Sequence, residues 1–229
     1  MRRVSGARTA LIVGASRGIG LGLAEEYKRR GWRVIGTVRD DAGETALRDL
    51  GDVRVERLDV ADEAQIEALA ELMASETLDL LFLNAGVMGP RDLLSASPEE
   101  VNAVMQANAF APARLAWRLL DRVPAKSGVV AFMSTGMASI ADNSSGGNDV
   151  YRASKAAQNM LARSLSVSAG ARGVTVLSIN PGWVKTDMGG AGATITVETS
   201  ARGIADQIER RTGTGRHVFI GWNGRDWPW

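Results

Sequence analysis

No cysteine occurs in the chain, and His217 is its one histidine. The first absence excludes disulfides, thiolate zinc sites and a cysteine nucleophile. The second excludes a multi-histidine metal centre and leaves no imidazole for a Ser–His pair elsewhere in the sequence. Any chemistry must use other acids and bases, or a bound cofactor. Neither sign of charge dominates. With 27 basic and 26 acidic residues the formal net charge is +1, so nothing points to nucleic acid or an anionic membrane as partner. Long apolar runs are missing too. Arg2 and Arg3 precede an apolar stretch, but Ala10–Val13 ends at once in Gly14 and Arg17, too short for the core of a signal peptide. No run approaches the ~20 apolar residues of a membrane span. The expectation is a soluble, cytoplasmic protein without metal.

What is present is an ordinary globular composition: 229 residues, 45% hydrophobic and 23% charged, enough for one domain with a sizeable core. Short apolar runs alternate with longer segments of helical period. Thr9–Val13, Arg33–Val38, Val53–Leu58, Leu78–Leu83, Val129–Met133, Val174–Ile179 and Val218–Trp222 read as strands. Several are apolar at successive positions, which suits parallel strands buried on both faces. Helical segments fall near 18–31, 43–50, 62–75, 98–120, 151–170 and 197–211. Ser97-Pro98-Glu99-Glu100 supplies a cap, a first-turn proline and two carboxylates near the positive helix end. Gly31 and Gly173 sit where helices should stop. This α/β rhythm predicts a doubly wound, seven-stranded parallel sheet with helices on both faces, in a single domain spanning 1–229.

The first strand runs into Gly14-Ala15-Ser16-Arg17-Gly18-Ile19-Gly20, and a helical pattern follows. Glycines there let the backbone turn sharply and let a pyrophosphate reach the N–H groups at the helix start. A plain strand–helix turn would use the same glycines, but the place between first strand and first helix favours the dinucleotide. The second strand ends in Thr37-Val38-Arg39. A site for NAD usually holds a carboxylate there for the ribose 2′-hydroxyl. Here the place holds Val38, followed by a cation. Arg39 and Arg17 are suited to a 2′-phosphate, so NADP(H) is expected in preference to NAD(H). The alternative is two solvated surface arginines.

Three further clusters stand out. Asn84-Ala85-Gly86 closes the fourth strand, Tyr151-Arg152-Ala153-Ser154-Lys155 opens a helix, and Pro181-Gly182-Trp183-Val184-Lys185-Thr186-Asp187-Met188 follows the sixth strand. With the glycine turn, and Asp59-Val60 after the third strand, they stand in the order of a short-chain dehydrogenase/reductase. The chain resembles that family along essentially its whole length. The ending Asp226-Trp227-Pro228-Trp229, and the stretch from Ser134 to Ala156 with Ser145-Gly146-Gly147 inserted before the tyrosine, resemble its C-factor-like and sniffer-type carbonyl reductases.

The resemblance implies a Rossmann-type fold, with a cofactor half at about 1–90 and a catalytic half at about 91–229. It implies hydride transfer between a nicotinamide cofactor and a small carbonyl or alcohol substrate. Dinucleotide contacts would come from Gly14, Ser16, Arg17, Ile19, Gly20, Arg39, Asp59, Val60, Asn84, Ala85, Gly86, Pro181, Gly182, Val184 and Thr186, besides Tyr151 and Lys155. The helices near 98–120 and 151–170 are the family's usual dimer surfaces, so a homodimer or homotetramer is allowed for.

Tyr151 and Lys155, one turn apart on a helix, project on the same face. A neighbouring ammonium favours phenolate, so the tyrosine pKa should fall towards working pH. By resemblance, Tyr151 exchanges the proton with the substrate oxygen, Lys155 also holds the nicotinamide ribose, and Asn108 supports a water-linked proton path to the lysine. Family members place a serine just after the fifth strand, where this chain reads Met133-Ser134-Thr135-Gly136-Met137-Ala138-Ser139. The subgroup pattern puts Thr135 at the active hydroxyl, with Ser134 and Ser139 as candidates beside it. A threonine donates the same hydrogen bond from a more restricted rotamer. Met88, Met137, Trp183 and Met188 are suited to an apolar substrate pocket, or equally to a core. A nucleotide-binding signalling protein of C-factor type is the alternative function. The intact Tyr151, Lys155 and Asn108 disfavour it. A sugar-nucleotide epimerase is disfavoured by the short chain after Met188.

Overall fold

The apolar runs become β1 Thr9–Val13, β2 Arg33–Val38, β3 Arg54–Arg57, β4 Leu80–Leu83, β5 Val129–Met133, β6 Thr175–Asn180 and β7 His217–Gly221. The helices are α1 Gly18–Arg29, α2 Asp41–Arg48, α3 Glu63–Leu72, α4 Pro98–Met105, α5 Ala111–Leu119, α6 Asp149–Ala171 and α7 Val197–Arg211. These come from a computed structural model that describes residues 6–229. Arg2 and Arg3 of the apolar-leader question lie outside the described residues. Among the described residues, no helix is long and apolar enough to cross a membrane.

All strands pair in parallel, in one seven-stranded sheet of order β3-β2-β1-β4-β5-β6-β7. Successive residues of a strand face opposite sides, which is why both kinds must be apolar. Leu11 and Val13 of β1 join one buried cluster, with Ile66 and Leu69 of α3, Leu115 and Leu119 of α5 and Leu165 of α6. Ala10 and Ile12 join the other, with Leu23 and Tyr27 of α1, Leu47 of α2 and Ile204 and Ile208 of α7. The helices thus cover both faces. β1 lies between β2 and β4, so the chain winds outward in both directions from this pair. A crevice opens beyond their carboxyl ends.

Local chemistry sets the helix boundaries. Ser97 accepts from the Glu100 N–H and donates its own backbone N–H to that carboxylate, closing a capping box on α4. Gly31 and Gly173 end α1 and α6 with φ of 75° and 71°, where a side chain would be strained.

The expected helix over 98–120 is interrupted. α4 stops at Met105, and a π turn, Gln106–Phe110, precedes α5. Pro112 is the cause, since it has no N–H to give the Asn108 carbonyl four residues back. β4 also starts later than expected, because the Leu78 N–H bonds the Arg122 carbonyl at 2.9 Å and leaves the sheet. The tryptophan-rich end folds back along β7. Trp227 donates its N–H to the Phe219 carbonyl, and the rings of Trp229 and Phe219 stack 5.4 Å apart. Trp227 lies so close over Gly136 that a Cβ there would meet its ring at 2.5 Å. The tail therefore covers the turn after β5.

Candidate active site

The crevice is built where β1 and β4 end. Gly14 takes φ of 84°, and a Cβ on it would meet the Ala85 backbone at 3.0 Å. A Cβ on Gly20 would meet the Gly14 carbonyl at 2.0 Å. Only glycine fits either place. The turn is held from outside: the Thr37 hydroxyl accepts from the Gly14 N–H at 2.9 Å, and Asn84 Nδ2 donates to the Gly14 carbonyl at 2.6 Å. Asn84 thus works through its side chain on the turn itself. α1 begins after Arg17 with no side-chain cap and no acidic residue in its first turn. Its free N–H groups and positive dipole end face the crevice, a chemistry that fits a pyrophosphate. Thr186 reaches the same spot, since a Cβ on Gly18 would lie 3.3 Å from its methyl.

Beside this turn lies a polar cavity of about 230 Å³ lined by Ser16, Arg17, Arg39, Asp40, Ala42 and Gly43. The two arginines differ there. Arg17 is engaged with Asp187 at 3.1 Å, both largely exposed. No hydrogen bond or ion pair engages the Arg39 guanidinium among the described residues. Asp40 is occupied as the cap of α2, accepting from the Gly43 N–H at 2.8 Å. Asp59 closes its own turn by accepting from Ala61 N at 2.9 Å, and Val60 is half-buried against the core.

On the far side of the crevice α6 carries Tyr151 and Lys155. Tyr151 is 8% exposed, and its hydroxyl has no hydrogen-bond partner among the described residues. Lys155 is buried, and its Nζ donates to the Met133 carbonyl at 2.9 Å and to Gln158 Oε1 at 3.4 Å. Gly86 approaches it so closely that a Cβ would lie 3.3 Å from Nζ. Burial pushes the lysine down to about 7 and the phenol up to about 12. The expected fall in the tyrosine pKa is therefore reversed. Desolvation is the cause, and the ammonium's hydrogen bonds go to Met133 and Gln158 and not to the phenol.

Asn108 is fully buried. Its Oδ1 accepts from Val87 N at 2.7 Å, and its Nδ2 donates to the Val87 carbonyl and to Ser154 Oγ at 2.8 and 3.0 Å. It pins the turn after β4 to α6. Its carbonyl, released by the π turn, accepts from Gln158 Nε2 at 2.7 Å. Sequence reasoning missed Gln158; the signal was a glutamine three residues past the lysine, on the buried helix face that also carries Tyr151 and Ser154.

The candidate hydroxyls separate by their partners. Ser134 is buried and donates to Asn159 Oδ1 at 2.8 Å. Ser139 accepts from Asp142 N at 3.0 Å and lies 3.5 Å from the Trp229 carbonyl. Thr135 only accepts, from Met137 N at 3.2 Å, which leaves its hydrogen uncommitted. In the loop after β6, Gly182 has φ of 82° and backs onto Ile195 and Trp222, Pro181 takes the Ser200 hydroxyl, and Val184 bridges to Ile195. Trp183 and Met188 are exposed, Met88 and Met137 half-buried. None of these four lines either the polar cavity or an apolar one of about 420 Å³ against Ala138, Ile140, Met160 and Trp229.

A doubly wound parallel sheet, with an uncapped glycine turn at its switch point and a tyrosine–lysine pair across the crevice, defines a nicotinamide-dinucleotide oxidoreductase of Rossmann type. The chain belongs to the short-chain dehydrogenase family, whose model matches residues 8–194. A putative short-chain dehydrogenase/reductase from Burkholderia multivorans with bound NADP is 37% identical, with a TM-score of 0.93 over 98% of this chain and 100% of that one. The carbonyl reductase Sniffer of D. melanogaster is 28% identical, with a TM-score of 0.85 over 98% of this chain and 100% of that one. The C-signal protein of Myxococcus xanthus is 33% identical over 72% of this chain and its own whole length. The chain is an NAD(P)-dependent dehydrogenase or reductase of CH–OH and C=O groups, and its family acts on small-molecule substrates.

Proposed function

We propose that the chain is an NADPH-dependent carbonyl reductase, or the alcohol dehydrogenase of the reverse reaction, with Tyr151 as general acid and base. The observation that carries this is the Tyr151 hydroxyl: on a largely buried side chain, without a partner among the described residues, one helical turn from a buried lysine. The reduced nicotinamide, when bound, supplies the hydride. A phenol held near 12 keeps its proton at neutral pH, so it has one to give to an oxygen turning into alkoxide. Thr135 donates the second hydrogen bond to that oxygen. Two of the Lys155 hydrogens are taken by Met133 and Gln158, and the third is free for the nicotinamide ribose. The glycine turn and the start of α1 hold the pyrophosphate, with Thr186 at their edge. Arg39 takes the 2′-phosphate, with Ser16 beside it, and Arg17 joins once it leaves Asp187. Met88, Met137, Trp183 and Met188 line the substrate side.

The test is turnover with NADPH on a panel of aldehydes, ketones and diketones. Tyr151→Phe should lower kcat by about 10²–10⁴-fold, far more than it weakens NADPH binding; full turnover defeats the assignment. Arg39→Ala should weaken NADPH about tenfold or more and leave NADH alone, read by fluorescence titration. Equal losses for both cofactors would defeat the 2′-phosphate assignment.

A further inference from the structure

Gln158 has no exposed surface. A primary amide in that position costs free energy unless its donors and acceptor are used, and an apolar side chain would fill the same space without that cost. Both ends are used. Its Nε2 donates to the Asn108 carbonyl at 2.7 Å, and its Oε1 accepts from Lys155 Nζ at 3.4 Å. The carbonyl is available only because Pro112 cannot bond it and the helix widens into the π turn. Two irregularities in different elements therefore meet at one side chain.

We infer that Gln158 is a positioning residue for Lys155, its amide bracing the lysine nitrogen against the carbonyl that the π turn releases. The brace stands on the path between Asn108 and Lys155 that the family resemblance assigns to water. Fixed between Met133 and Gln158, the ammonium turns its remaining N–H towards the crevice. Gly86 after β4, Met133 of β5, Asn108 of the π turn and Gln158 surround Nζ. Tyr151 is the titratable neighbour on α6, and no carboxylate or second cation pairs with Lys155 among the described residues. The inference rests on the roles proposed above for Tyr151 and Lys155.

The test uses the full-length chain without cofactor, labelled with ¹³C at lysine Cε, and then the turnover assay. Exposed Lys126 and Lys185 serve as internal references. In Gln158→Met the Lys155 resonance should titrate about one pH unit lower than in wild type, since an acceptor for the ammonium is gone. In Gln158→Glu it should titrate higher. The ionisation seen in kcat against pH should move the same way, with kcat at neutral pH about tenfold lower in Gln158→Met and KM for the carbonyl substrate near wild type. An unmoved lysine titration with a wild-type pH profile in folded Gln158→Met overturns the inference. If that variant does not fold, an unmoved resonance in Gln158→Glu overturns it. A fully active Tyr151→Phe would instead defeat the proposed function, and it leaves the cofactor-free titration as it was.

Discussion

At the scale of single residues, Lys155 shows what the site costs the fold. An ammonium is buried at 2% exposure with no anion beside it among the described residues, and its pKa falls from 10.5 to about 7. The folded chain then binds fewer protons than the unfolded chain between those values, so stability rises with pH across that window. Below about 7 the penalty is present in full. Lys155→Met should therefore abolish turnover while raising the melting temperature. The gain should be largest at about pH 6 and shrink as pH rises towards 10. Thermal unfolding of the two proteins at several pH values checks this, and a variant less stable than wild type at about pH 6 would contradict it. A protein needing only to hold a nucleotide would have little reason to keep that charge inside.

Elements decide how much of this was legible beforehand. The parallel sheet was legible because burial on both faces forces continuous apolar runs, as in Leu80–Leu83 and Val129–Met133. The glycine turn was legible because no other residue fits: Gly20→Ala would put a methyl within 2.0 Å of the Gly14 carbonyl and 2.6 Å of Asn84 Nδ2. That variant should bind NADPH at least about tenfold more weakly while keeping its secondary structure, as titration and circular dichroism would report. The π turn was not legible, although Pro112 marked its place, because one extra residue barely disturbs a helical pattern. The partners of Ser134 and Arg17, Asn159 and Asp187, lie 25 and 170 residues away, a separation that only the folded chain closes. The tyrosine shift went the other way for a similar reason. Spacing reports the nearby charge, while burial depends on everything packed around it.

Across the whole molecule, the tail couples the last strand to the site. Trp227 sits over Gly136 and, through it, on the turn that carries Thr135. Trp227→Ala should lower stability by about 2 kcal/mol, less than a fully buried tryptophan would cost because the ring is only half-buried. It should also raise KM for the carbonyl substrate more than KM for NADPH, since the loosened turn lies on the substrate side. Steady-state kinetics with each substrate varied in turn would separate the two effects.

The fork between β1 and β4 is stitched shut at its base. Asn84 and Ala85 both give their N–H groups to the Val13 carbonyl, at 3.0 and 2.9 Å, while the Asn84 amide grips Gly14. The cradle for a dinucleotide is thereby braced by the chain's own hydrogen bonds. A loop tied down in this way spends little affinity on ordering, and the same seat serves each exchange of spent carrier for fresh.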